Sequence, residues 1–290
     1  MDMQRIPRML EMRRYLREKQ PLIHCITNPI SIHDCANVIL AVGARPIMAE
    51  HPREVEEITA VSSALMLNLG NITDVRMESM RLALAQANRK NIPVILDLVG
   101  VTCSKMRREF AEDLLADGKF AVMKGNISEI LAVASQPFHG TGIDAGEEDA
   151  VSAANQGKRG EVAKNLAREF ECAVLATGKN DLVAVSDQTF LVSNGDPALS
   201  GITGTGCMVG ALTAAYLSAV CAPSDLALSA LLGVVTMGIA GEHAAAVSRG
   251  PGSFQAALLD EIFCLGEEDF AREARILADE KRDGGCAENV

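Results

Sequence analysis

The sequence predicts an α/β fold in which a mostly parallel central sheet carries helices on both faces, a three-layer αβα arrangement. Two patterns lead to it. Short apolar runs rich in Val, Ile and Leu alternate along the chain with longer segments of helical periodicity, as expected of strands buried on both faces and joined by crossover helices. Polar residues also fall repeatedly at the C-terminal ends of those runs, and in an open parallel sheet that edge is where loops and helix N-termini converge on a ligand.

In chain order, PLIHCIT (21–27) reads as a strand followed by Asn28, and ALMLN (64–68) as a strand ending on Asn68. TDVRMESMRLALAQANRK (73–90) has the 3.6-residue apolar period of an amphipathic helix. PVILD (93–97) is a strand ending on Asp97, and KFAVM (119–123) a strand that stops before Lys124. EVAKNLAREF (161–170) is a helix, and ECAVLAT (171–177) a strand ending on Thr177. LVAVSDQTFLV (182–192) differs, because two alternating runs flank a short polar turn, which predicts an antiparallel hairpin added to the sheet. GITGTGC (201–207) opens an uncharged, proline-free helix. LALSALLGVVTMGIAG (226–241) is shorter than the ~20 residues that cross a bilayer and reads as a buried helix of small residues. No repeats or low-complexity linkers interrupt the pattern, so residues 1–290 are expected to form one domain.

Composition narrows the function. With 38 acidic and 27 basic side chains the net charge is −11, which argues against nucleic acid or an anionic membrane as the main partner. Tryptophan is absent and only two tyrosines occur, so base-stacking platforms are not expected either. The eight cysteines show neither C-x-x-C nor zinc-type spacing and read as reduced thiols. The first residues, MDMQRIPRMLEMRRYLREK, carry charges throughout and no apolar h-region, so a cytoplasmic enzyme is expected.

Two stretches carry chemistry. In GTGC, glycines beside the unpaired amides of a helix's first turn make an anion site, with Cys207 next to it; the competing reading is a helix start punctuated by glycine. In KGNISEI, Asn126 and Glu129 stand three apart on one face of a helix start. That suits Mg²⁺, which keeps most of its waters and is held by one or two carboxylates together with substrate phosphates. An ordinary helix start is the alternative. Asp97 is either a second magnesium-side carboxylate or a turn residue, and Glu129 is expected to be a solvated edge residue that adds little to the core.

Asn126-Ile127-Ser128-Glu129, followed far downstream by Gly204-Thr205-Gly206-Cys207, resembles the ribokinase-like superfamily. The chain as a whole is similar to hydroxyethylthiazole kinases from about Pro21 to Phe254, through HCITNPIS, CANVILAVGARPIMAE, LNLGNI, LDLVGV, KGNISEI, LATGKND, NGDPALSGITGTGC and GPGSF. The resemblance implies ATP-dependent phosphorylation of the primary alcohol of 4-methyl-5-(2-hydroxyethyl)thiazole in thiamine salvage. It implies Cys207 as the acceptor of the hydroxyl proton, where related sugar kinases use aspartate. It also implies Met48, Gly204 and Asn28 at the thiazole, Lys124 at ATP phosphate, Thr177 at the nucleotide, and Mg²⁺ near Asn126, Glu129 and Asp97. Trimers with sites between subunits are implied too, with the Asn28 and Met48 region serving a neighbour's anion loop.

Two positions depart from the family pattern. Leu98 stands where proline is frequent and is expected to loosen a turn; Lys124 stands where arginine is common, trading a planar fork for a point charge. Four other readings stay open: a sister kinase for hydroxymethylpyrimidine or pyridoxal, a thiol-nucleophile enzyme, for which no motif histidine offers a partner, a lyase on the same scaffold, and a catalytically silent nucleotide-binding protein.

Overall fold

A computed structural model describes residues 5–139, 146, 149–151 and 155–279; Cys286 lies outside them. The strands are β1 (Leu22–Ile26), β2 (Arg45–Ile47), β3 (Ala64–Asn68), β4 (Val94–Asp97), β5 (Val122–Asn126), β6 (Ala173–Thr177), β7 (Asp181–Ala184), β8 (Thr189–Val192) and β9 (Ile276–Ala278). They form one nine-stranded sheet in the order β2-β1-β3-β4-β5-β6-β7-β8-β9. Pairing is parallel from β2 to β6 and antiparallel from β6 to β9, so the parallel core and the added hairpin both match the sequence reading.

The helices are α1 (Arg5–Lys19), α2 (Ile32–Ala41), α3 (Val55–Ala60), α4 (Asp74–Lys90), α5 (Lys105–Asp117) and α6 (Ile127–Val133). The chain continues through α7 (Gln156–Glu169), α8 (Thr205–Leu217), α9 (Asp225–Val247), α10 (Pro251–Cys264) and α11 (Glu267–Glu273). Thr73 caps α4 by accepting the Arg76 N–H at 3.3 Å, a side-chain bond that satisfies one of the amides left over at a helix start. Helix α9, at 23 residues, is longer than its uncharged stretch suggested and long enough to cross a membrane, but 72% of its most apolar window is buried in the fold. It is a core helix.

Alternation along the strands divides the core. Ile23, Cys25, Ala64, Met66, Ile95, Val122, Ala173 and Leu175 pack with α1, α2, α8, α9, α10 and α11. Ile26, Leu65, Leu67, Val94, Leu96, Met123, Val174 and Ala176 pack with α3 to α7. Burying each such large side chain stabilises the fold by about 1.5–3 kcal/mol, and this two-sided burial fixes the register, because a one-residue slip would turn every side chain to the wrong face.

That register positions the site. With a period of two, Asn68, Asp97 and Lys124 share the parity of Met66, Ile95 and Val122 and therefore face α8. Asn68 pairs with Asp97, and Asp97 with Lys124, so three adjacent strands set three polar side chains in a row under that helix. Strand β5 here corrects the sequence reading: it does not stop before Lys124 but runs through it to Asn126. The charge of Lys124 looks like the end of a strand only until Asp97 is seen beside it.

Candidate active site

Gly204 is the cap residue just before helix α8, and its φ of +88° lies in the left-handed region open to glycine. A side chain there would also press on Ser31, since a Cβ would come 3.2 Å from Ser31 Cβ. The first amide to close an intrahelical bond is Met208 N–H, to Gly204 O at 2.9 Å, so the amides of Thr205, Gly206 and Cys207 precede the helical ladder. Thr205 Oγ1 donates to Leu199 O at 3.1 Å and pins the turn. Lys124 Nζ lies under the loop, 3.5 Å from where a Gly206 Cβ would stand. Gly210, one turn on, lets α8 lie close to the sheet, for a Cβ there would come 2.7 Å from Met66 Cε and 3.2 Å from Asp97 Oδ2.

Cys207 is buried on the first turn of α8. Its sulfur accepts from Asn28 Nδ2 at 3.2 Å and from Asn68 Nδ2 at 3.3 Å. Asn68 Nδ2 also donates to Asp97 Oδ2 at 3.0 Å, and Lys124 Nζ donates to both Asp97 oxygens at 3.0 and 3.1 Å. A thiol, two amides, a carboxylate and an ammonium, drawn from the turn after β1 and from β3, β4, β5 and α8, thus form one connected network. Asn28 bonds Cys207 within the same chain.

Burial and charge compete in this network. Burial raises the Asp97 carboxyl above its ordinary value, and the Lys124 ammonium beside it only partly opposes that. Burial alone would lower the Lys124 ammonium, but Asp97, with Glu129 also near, more than offsets it and holds the proton on. Glu129 is not the solvated residue expected from sequence. It is 2% exposed, its Oε1 accepts the Gly100 N–H at 2.7 Å, and its Oε2 accepts the Asn126 N–H at 2.7 Å. Burial pushes its carboxyl up to about 7 against the pull of Lys124.

Asn126 caps α6 by accepting the Glu129 N–H at 2.9 Å, so the two residues read as magnesium ligands form a reciprocal capping box. Among the described residues no three His, Cys, Asp or Glu side chains are gathered as a closed metal site. The donor set still suits a hard divalent cation held largely through water: Asp97 and Glu129 are two buried carboxylates that raise each other's proton affinity, and a cation near them would favour their charged forms. Thr177, beside Asn126 in the sheet, donates from Oγ1 to Gly125 O at 3.3 Å, and Asp181 closes the turn after it by accepting the Gly178 N–H at 3.0 Å.

Met48 is half-buried just beyond β2, on a segment held from three sides. His24 Nε2 donates to Ala49 O at 2.8 Å, Arg76 Nε to Glu50 Oε2 at 2.7 Å, and Ser79 Oγ to Glu50 O at 2.8 Å. Since a carbonyl can only accept, the proton of His24 sits on Nε2 and its Nδ1 accepts from Thr59 Oγ1 at 2.9 Å. A cavity of about 340 Å³ lies between α2 and α10, with Asp34, Gln255 and Met208 in its wall. Leu98 also behaves differently from expectation. Its amide donates to Lys124 O at 2.8 Å, a bond proline could not make, so leucine extends the β4–β5 pairing into the start of the turn. Sequence reasoning gave no role to Asn68, although it carried the same signal as Asp97, a polar residue closing an apolar strand.

Phosphoryl transfer to a small alcohol is served by positioned hydrogen-bond donors and charge, and here the leading amides of α8, the Lys124 ammonium and the Cys207 thiol meet at the carboxyl ends of parallel strands. Fold and site together define a kinase of the ribokinase-like class. The fold is shared with a pyridoxal kinase from Staphylococcus aureus solved in complex with ADP, at a TM-score of 0.58 and 13% identity, over 77% of this chain and 88% of that one. The chain belongs to the hydroxyethylthiazole kinase family, which matches residues 14–268. It is 44% identical over 267 residues to hydroxyethylthiazole kinase 2 of Clostridium botulinum (strain Okra / Type B1), covering 92% of this chain and 99% of that one. The solved hydroxyethylthiazole kinase protein from Pyrococcus horikoshii OT3 superposes with a TM-score of 0.82 at 35% identity, over 94% of this chain and 100% of that one.

Proposed function

We propose that this chain transfers the γ-phosphoryl group of ATP to the primary hydroxyl of 4-methyl-5-(2-hydroxyethyl)thiazole, as in thiamine salvage, with Cys207 as the proton acceptor. The observation that carries this reading is the sulfur of Cys207 on the first turn of α8, held by two amides and set beside the Asp97–Lys124 pair. The alcohol oxygen attacks the γ-phosphorus as its proton passes to the sulfur; the bond from that phosphorus to the bridging oxygen breaks, and ADP leaves. The transferring group meets the leading amides of α8, and Lys124 beneath them offsets its charge. Positioning contributes the rest, with Met48, Gly204 and Asn28 on the thiazole side and Thr177 on the nucleotide side. Mg²⁺, held near Asp97, Glu129 and Asn126 chiefly through water, would add positive charge beside the phosphates.

Steady-state kinetics on two variants test the proton acceptor. Cys207→Ala should lose about 10²- to 10⁴-fold in kcat while still binding ATP, the range for loss of a general base. Cys207→Asp should keep substantial activity. A Cys207→Ala variant as fast as the parent at saturating substrate would reduce Cys207 to a packing residue.

Assembly and setting belong to the same proposal. Ile30 (59% exposed), Leu40 (54%) and Phe263 (62%) present large apolar side chains beside and along α2 and α10, which supports a homotrimer that covers them and brings sites near subunit boundaries. Cys25, Cys35, Cys172, Cys207, Cys221 and Cys264 are thiols outside any disulfide, two of them exposed, which supports a reducing, cytoplasmic setting.

A further inference from the structure

We propose that Asn68 is a positioning residue of this reaction: it holds the Cys207 sulfur as a hydrogen-bond acceptor and ties it to Asp97. The proposal rests on Cys207 being the proton acceptor. Its own support is the way the Asn68 amide is wired.

An amide side chain can be turned either way round, and only its partners decide which end is which. Here one partner is unambiguous. Gly70 N–H can only donate, and it points at Asn68 from 2.9 Å, so the atom facing it is the oxygen Oδ1. Nδ2 therefore faces the other way, and its two hydrogens have two acceptors, Asp97 Oδ2 at 3.0 Å and Cys207 Sγ at 3.3 Å. Oδ1 takes its second bond from Asn28 Nδ2 at 3.1 Å. Every donor and acceptor of this fully buried amide is used.

Asn28 is fixed in the same manner. Ile30 N–H and Ser31 N–H donate to its Oδ1 at 3.1 and 3.2 Å, which turns its Nδ2 towards Asn68 Oδ1 and, at 3.2 Å, towards Cys207 Sγ. Three backbone N–H groups in the turns after β1 and β3 thus set the polarity of two side-chain amides, and both present N–H to one sulfur. The sulfur must accept from both, so any proton it takes from the alcohol has to arrive along a third direction. Asn68 is the member that links this arrangement to the charged pair. Gly70 makes room for it, because a Cβ there would come 2.8 Å from Asn28 Nδ2 and 2.9 Å from Asn68 Oδ1.

A residue acting through Cys207 should matter only while Cys207 is present, and a double-mutant cycle measures that directly. With the thiazole alcohol, MgATP and the full-length protein, Asn68→Ala should lower kcat by about 10- to 100-fold in the parent, with KM for ATP within about twofold. In the Cys207→Ala background the same substitution should change the residual rate by less than about threefold. Asn68→Ser, a smaller change, is carried through the same cycle in case the alanine variant folds poorly, with circular dichroism melts on all six proteins. Equal loss factors in both backgrounds, with Cys207→Ala itself slow, would overturn the role of Asn68 alone. A parental kcat for Cys207→Ala would remove the proton acceptor and this proposal with it.

Discussion

Lys124→Met should cost the protein far more stability than the double change Lys124→Met with Asp97→Leu. The Lys124 and Asp97 side chains are 5% and 0% exposed, and their nitrogen–oxygen contacts are 3.0 and 3.1 Å. Methionine keeps the apolar stem but removes the ammonium, so Asp97 is left buried with the Asn68 amide as its remaining side-chain donor. Breaking one half of a buried pair costs about 3–5 kcal/mol, whereas replacing both halves with apolar groups is often neutral. At about 2–4 °C per kcal/mol for chains of 150 to 250 residues, the single variant should melt roughly 10 °C below the parent. The double variant should recover at least half of that and remain inactive, which separates what the pair does for the fold from what Lys124 does for transfer. Because the chain has no tryptophan, the melts are best followed by circular dichroism, with ADP release measured in parallel. A single variant melting within about 2 °C of the parent, or a double variant no more stable than the single, would refute the reasoning from a buried pair.

Glu129 offers a pH test. Burial pushes its folded carboxyl up to about 7 against an ordinary 4.5, so the folded state holds the extra proton and stability drains away as pH rises from below 4.5 through about 7. The parent's melting temperature should therefore fall relative to that of Glu129→Gln across this window, and the variant should need more magnesium for half-maximal turnover; parallel melting profiles would contradict the first and identical magnesium titrations the second. Gly204→Ala forces a side chain into the left-handed region at about 1–2 kcal/mol and against Ser31, so melting should fall by a few degrees and kcat/KM by roughly tenfold, while an unchanged kcat/KM would show that the loop tolerates displacement. If sites are shared in a trimer, Cys207→Ala and Met48→Glu parents, each strongly impaired, should recover activity after subunit exchange; verified exchange without recovery would count against sharing.

Much of the architecture was legible because burial writes itself into sequence period. The runs ALMLN, VILD and AVLAT became strands at those residues, since a strand buried on both faces needs an unbroken apolar stretch. Strands β2 and β9 escaped notice, being three residues long and flanked by charge. Lys124 showed why local reading fails inside a site: its charge marked the end of a strand by sequence, and only the parallel neighbour Asp97 makes it a strand residue. Spacing identified Asn126 and Glu129 as a helix start, but whether Glu129 met water depended on Gly100, which folds over it from the turn after β4. Asn68 was visible and left without a role, because a lone asparagine carries no motif until register sets it beside Asp97 and Cys207.

The central claim is that this site phosphorylates a thiazole alcohol, and an ADP-release assay over a panel of thiazole, pyrimidine, pyridoxine and sugar alcohols tests it most directly. The hydroxyethylthiazole should be preferred at least about tenfold in kcat/KM over every other alcohol, about 1.4 kcal/mol of transition-state discrimination. A pyrimidine or pyridoxine alcohol turned over with equal or higher kcat/KM would contradict the account.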